Sequence, residues 1–283
     1  MLSPIKRFFP SSILQTRSMV IKLCQCQNSI QISYPPSVQI EKLTIQELLK
    51  PSSNMKNICD ITAQSFGDPS YRMNDAIVQS THIYLARIKS RYIGYLMVDF
   101  EFGLSVYNEE SLIYPILGCI DPTWKRKGIM RFIVGHFVRD IQQYQQQNSR
   151  KVLVWFTTVT PYMIRTVQDF YINIQPGDDE YGSYDPKYVP VIEQIQSKMN
   201  WKVDHDHSRN GNRHPFIQYG ILKNTSYNNE ELERIQKVIS NPKYRVNLFH
   251  RFQLDPQKGD RILYLAEPTN KKLEFVPDSQ QNI

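Results

Sequence analysis

Residues Cys119-Ile120-Asp121-Pro122-Thr123-Trp124-Lys125-Arg126-Lys127-Gly128-Ile129-Met130 place three cations and a glycine between an apolar run and an amphipathic one. That pattern suits anion binding, and phosphate binding above all. The first N–H groups of a helix have no partner within it, and the helix dipole adds partial positive charge at the same end. Lys125, Arg126 and Lys127 bring further charge there, and Gly128, lacking a Cβ, lets the backbone come close to a bulky diphosphate.

The flanking segments must hold that turn in place. Leu112, Ile113, Tyr114, Ile116, Leu117, Cys119 and Ile120 form a nearly continuous apolar run, as in a central strand covered on both faces. After the turn, Ile129, Phe132, Ile133, Phe137, Ile141 and Tyr144 recur at helical spacing. Upstream, Val38 to Leu43 reads as a strand, Asn54 to Phe66 as a helix and Asn74 to Ser80 as a second, short helix. Ile83 to Ile88 and Tyr92 to Phe100 read as a hairpin turning at Lys89-Ser90-Arg91. Downstream, Val152 to Phe156 is another buried strand. A helix is expected to open at Pro161 with Thr160 as its cap, carrying Met163, Ile164, Val167, Phe170, Tyr171 and Ile174 on its apolar side.

The run from Ile120 to Met130 resembles the acyl-CoA-binding motif of the GNAT superfamily of N-acetyltransferases, usually V-x-P-x-x-R-G-x-G-x-G/A. Ile120 matches the valine, Pro122 the proline and Gly128 the middle glycine. Lys125 stands where Arg or Gln is preferred, Arg126 where a small residue is common and Met130 where Gly or Ala is usual. The succession of strands and helices over roughly residues 37 to 175 is similar to the family's as well.

The resemblance implies an α/β fold, acyl-CoA N-acyltransferase-like, with a mixed central sheet flanked by helices and a long insertion before the final hairpin. It implies acetyl-CoA or another acyl-CoA as donor and an amine as acceptor, joined by direct transfer. Gly118, Cys119 and Ile120 would meet the pantetheine arm, and Lys125, Arg126, Lys127, Gly128, Ile129 and Met130 the diphosphate. Tyr171 best matches the family's tyrosine acid and Tyr162 comes next, although the family's Asn and Gly-Phe are missing nearby. Asp99 and Glu101 are the carboxylates expected to supply the base, with Glu109 and Glu110 the other pair in reach; alternation puts Asp99 and Glu101 on one face. Cys119 lacks a recognisable His partner, which argues against a covalent intermediate. A competing reading is a non-catalytic scaffold of this fold whose basic turn meets a protein or nucleic acid.

At 283 residues and 41% hydrophobic content, the chain can bury a sizeable core. It has no apolar run long enough to span a bilayer. Four cysteines, two of them in Cys24-Gln25-Cys26, do not make a disulfide framework. The net charge of +7 favours acidic partners, but the charge is scattered and the aromatic residues fall at core spacing, which argues against nucleic acid. Residues 1–37 read as a basic leader, with no Asp or Glu before Val38; their composition resembles a mitochondrial transit peptide, against a cytoplasmic default. The remainder, 38–283, reads as one domain with an insertion over about 175–243. There Val191 to Met199 and Asn229 to Ser240 read as helices and Ile217 to Leu222 as a strand, and Arg245 to Leu254 with Arg261 to Ala266 as the closing hairpin. His205-Asp206-His207 and His214 offer too few ligands at recognisable spacing for a metal.

Overall fold

The computed structural model describes residues 28–50, 54–158, 160, 163, 168–177, 179, 181–201, 214–221, 227–241 and 247–278. Its centre is an eight-stranded mixed sheet, built from β2 (Val38–Thr44), β3 (His82–Ile88), β4 (Arg91–Leu104), β5 (Glu110–Ile120), β6 (Lys151–Thr158), β7 (Tyr171–Gln175), β8 (Ile217–Gln218) and β9 (Arg261–Pro268). The strands run in the order β2-β3-β4-β5-β6-β9-β7, with β8 beside β9. Among the described residues, only β5 and β6 pair in parallel within it. The connection between them is the amphipathic helix expected after the basic turn, α4 (Ile129–Asn148).

Ahead of α4 come α1 (Ile45–Leu48), α2 (Asn54–Ala63) and α3 (Pro69–Gln79). The helix expected from Asn74 starts earlier, because Asp68 caps it by accepting from the Tyr71 N–H at 3.0 Å and Pro69 fills the first turn. The two faces of the sheet carry separate cores. Phe132, Ile133, Phe137 and Ile141 of α4 pack with Ile113, Ile120 and Val152 on one face. Ile58 and Ile61 of α2 and Met73 and Ala76 of α3 pack with Leu117 and Cys119 on the other.

The feature that shapes the site is a divergence in the sheet. β5 and β6 pair only from Glu110↔Lys151 to Ile113↔Val154. Beyond that point β5 continues to Ile120 against β4, and β6 continues to Thr158 against β9. Pro115 follows just after the last pair; a residue without an N–H suits a strand that has lost its neighbour.

The second half departs from expectation in three ways. Tyr171 and Ile174 lie on β7 and not on a helix: Phe170 and Tyr171 are buried while Ile172 is exposed, a change too abrupt for a helical stripe. Residues 247–251 form α7 (Asn247–Arg251) and not a strand, because Leu248, Phe249 and Phe252 bury one helical side. The final strand pair of the central sheet is therefore β7 with β9, and the insertion falls between these two strands in sequence and not ahead of them. This insertion carries α5 (Val189–Lys198) and α6 (Asn229–Ile239), both where helical spacing put them, while β8 is only two residues long.

The folded part also begins earlier than Val38. β1 (Ser29–Tyr34) pairs in parallel with β10 (Lys272–Pro277), and the two lie across α4. Tyr34 stacks on Phe132 at 4.1 Å, and Gly135 leaves no room for a Cβ between α4, Ile32 and Phe275. Residues 1–27, which hold most of the basic leader, lie outside the described residues. Among the described residues, no helix is long and apolar enough to cross a membrane.

Candidate functional site

The basic turn is fixed from both sides. The Asp121 carboxylate accepts from the Thr123 N–H at 2.9 Å and hydroxyl at 2.7 Å, and Arg91 donates to its other oxygen at 2.6 Å. Burial works against ionisation of Asp121, but these donors together hold its pKa below the usual carboxylate range. One 3-10 turn, Pro122–Trp124, follows. Arg126 then takes φ +68°, left-handed backbone that costs a non-glycine residue roughly 1–2 kcal/mol. It stands where the resembling motif has its first glycine.

Gly128, at φ +75° and ψ +3°, caps α4 without any side-chain hydrogen bond. The first helical bond on this residue runs from the Phe132 N–H to its carbonyl at 2.9 Å. The N–H groups of Ile129, Met130 and Arg131 precede that bond and are the helix's unpaired amides.

These amides open into a cavity of about 1200 Å³ in the gap between β5 and β6. Gly118, Cys119, Ile120, Lys125, Arg126, Gly128, Ile129, Met130 and Tyr171 all line it, together with Thr157 and Thr158 of β6. Residues spread over the turn, three strands and the helix start thus converge on one space. Met130 lies over Gly118 at its edge.

Several of the residues singled out from sequence are elsewhere, Glu109 and Glu110 among them. Lys127 holds its ammonium 4.5 Å over the Trp124 ring and is absent from the lining. Asp99 and Glu101 sit farther along β4, away from the cavity; the Asp99 carboxylate accepts from the Glu101 N–H at 2.8 Å, and burial raises its pKa. Tyr162 and His205-Asp206-His207 lie outside the described residues. His214 accepts from the Phe216 N–H through Nδ1 and donates from Nε2 to the Gly182 carbonyl at 2.9 Å, and burial lowers its pKa. Among the described residues no group of His, Cys, Asp and Glu could hold a metal ion.

The Cys119 thiol is pushed up to about 11 by burial, so it is protonated at neutral pH and a poor nucleophile. Burial raises the Tyr171 hydroxyl well above its ordinary value.

The insertion supplies a wall of the cavity, through residues that sequence reasoning did not single out. Glu231 of α6 is buried and pairs with Lys125 of the turn at 3.0 Å and with Arg234 at 2.7 Å. The helix is held there from its start: Asn228 caps it and also donates to the Gln64 carbonyl at 2.9 Å. Arg72 of α3 and Arg261 of β9 line the same cavity and are likewise buried. A cation heading the wholly apolar run Ile262 to Ala266 was the one legible signal for Arg261.

No protein-family model and no curated protein matches the chain. Solved structures do. The chain is similar to an IAA acetyltransferase from Bacillus cereus at 15% identity and a TM-score of 0.33, over 49% of this chain and 81% of that one. A GNAT family acetyltransferase from Elizabethkingia anophelis, with acetyl-CoA bound, is similar at 16% identity and 0.32, over 50% and 80%. A GNAT-family protein from Desulfovibrio desulfuricans is similar over 81% of this chain and 98% of that one, at 10% identity and 0.37. At such identities and scores, function has to be argued from the residues of the cleft.

Proposed function

We propose that the cleft binds an acyl-CoA and that the protein transfers its acyl group to an amine. The observation that carries this reading is the divergence of β5 from β6 beyond Ile113 and Val154, with the uncapped start of α4 at the mouth of the gap. The amides of residues 129–131 suit a diphosphate, and the strand edge from Gly118 to Ile120, unpaired on its β6 side, suits the amides of a pantetheine arm.

Transfer forms the C–N bond to the amine and breaks the C–S bond, and the thiolate takes up a proton. Tyr171, kept neutral by burial and lining the gap, is the candidate donor of that proton. The carboxylates lining the cavity among the described residues are Glu231 and Asp169, and both are ion-paired, Asp169 with Arg131 at 3.0 Å. The amine's proton therefore leaves through water. Protonated Cys119 fits attack by the amine itself, without an acyl-enzyme.

Two observations favour the scaffold as a second reading: Glu231 neutralises Lys125, and Met130 intrudes where the motif's small residue is expected. Titration with acetyl-CoA, followed by melting temperature and heat and set beside free CoA, ATP and a short RNA, separates the two. A ligand at about a hundred times its Kd stabilises by roughly 2.7 kcal/mol. A selective shift that Gly128→Asp abolishes supports the donor site; no shift, or an equal one with every polyanion, supports the scaffold.

A further inference from the structure

The cavity has two ends of different character. One is the start of α4 on the face of the sheet that α4 covers. The other lies on the α2/α3 face, where Arg72 and Arg261 form the wall beside Tyr227. Tyr227 is fixed on that side by stacking on Phe66, just past α2, at 5.2 Å.

Both arginines are almost wholly out of water, 7% and 2% exposed. Their charges are poorly answered. Arg72 donates to Asp75 at 3.2 Å and to the Ile116 carbonyl at 3.1 Å, and the Asp75 carboxylate is itself shared with Gln79 and more than a third exposed. Arg261 donates through one nitrogen to the carbonyls of Asp260 at 2.6 Å and Pro256 at 3.5 Å, and its guanidinium lies 5.6 Å from the Tyr227 ring. It has no carboxylate within ion-pair reach among the described residues. The neighbouring Asp260 side chain accepts from the backbone N–H groups of Gly220 and Asp255. Burial, with repulsion from Arg72 in addition, works against the Arg261 charge, and a guanidinium stays protonated even so.

A buried cation normally has a partner anion, because desolvating it alone is costly. The other ionic groups of the cavity do not supply one, since Glu231 already faces Lys125 and Arg234 and Asp169 faces Arg131. What the wall lacks is an anion from outside, and a planar guanidinium fork is shaped for a carboxylate. We infer that Arg72 and Arg261 bind a carboxylate carried by the amine acceptor, which makes the substrate class amino acids and related amino carboxylates. This rests on the acyl-transfer reading above for the word acceptor, and on the arginine wall alone for the carboxylate.

The test pairs each of the common L-amino acids with its α-carboxamide, and measures CoA thiol release from acetyl-CoA and, without any donor, ligand-detected NMR binding to the full chain. The expected result is a preference of roughly tenfold or more in kcat/KM for at least one carboxylate over its carboxamide. The same member should show the stronger binding signal. Arg261→Gln and Arg72→Gln should each remove the preference, and Arg261→Lys, which keeps the buried charge, should retain part of it and so control for folding.

Turnover of both members at equal rates overturns the inference and leaves acyl transfer standing. Carboxylate binding lost in Arg72→Gln, with no thiol release from any pair, supports the arginine site and overturns acyl transfer. No selective binding and no selective turnover overturns it outright. A preference for succinyl-CoA over acetyl-CoA that depends on Arg261, with amines lacking any carboxylate as good acceptors, would move the carboxylate from acceptor to donor and also overturn it.

Discussion

Met130 lies over Gly118, so close that a Cβ added to Gly118 would stand 2.9 Å from the Met130 Cε and 3.2 Å from a Leu96 methyl. The bulky side chain at a motif position that resembles one for Gly or Ala is thus accommodated by a missing side chain on the facing strand. Gly118→Ala should destabilise the fold by roughly 1–2 kcal/mol, as overpacking does. Gly118→Ala with Met130→Ala should recover most of that loss, and urea denaturation of the four proteins in the cycle reads the coupling. Equal losses with and without Met130 would remove the pairing.

Glu231 ties the insertion to the turn. Its loss leaves Lys125, only a fifth exposed, without its carboxylate, and breaking one side of a buried pair costs about 3 kcal/mol or more. Glu231→Gln is expected to lower stability by about that much, while amide exchange in α6 rises before exchange in β4 and β5. Exchange rising evenly across the sheet would show that α6 is not separately held by this pair.

Arg126 occupies left-handed backbone that a glycine adopts freely. Arg126→Gly should raise stability by about 1 kcal/mol. Because Arg126 lines the cavity, the same change should weaken acetyl-CoA binding and flatten its salt dependence. A destabilised variant would mean that the arginine side chain holds the turn.

His136 on α4 accepts from Arg139 at 2.9 Å and packs against Phe275 at 4.4 Å. Burial, followed by the Arg139 charge, lowers its pKa to about 4, below the 6.5 of a free histidine. The unfolded chain therefore binds the proton first, and this contribution to stability is complete above pH 6.5 and is lost as pH falls toward about 4. Chemical denaturation at several pH values should show His136→Gln less acid-sensitive than the parent over that window. Identical slopes would place His136 in water.

How much of this was legible depended on whether local pattern and tertiary context agreed. Around the turn they agreed: the apolar run to Ile120, the glycine at 128 and the stripe from Ile129 specify strand, cap and helix by themselves. Tyr171 misled because Phe170 and Tyr171 continue the spacing of Met163 and Val167, whereas pairing with β9 makes the strand. Asp99 and Glu101 are near the motif strand in sequence, but a strand carries such neighbours out of reach at about 3.4 Å per residue. Arg72, Arg261 and Glu231 come from three distant segments, and no spacing within any one of them announces a shared wall.

The strand pair laid across α4 also makes the cover of that helix depend on two distant segments. It joins Ser29 to Lys272, so the outer side of α4, from Phe132 to His136, stays uncovered until segments from opposite reaches of the chain have met. Parting β1 from β10 would therefore bare the aromatic flank of the helix that offers its first amides to the cleft.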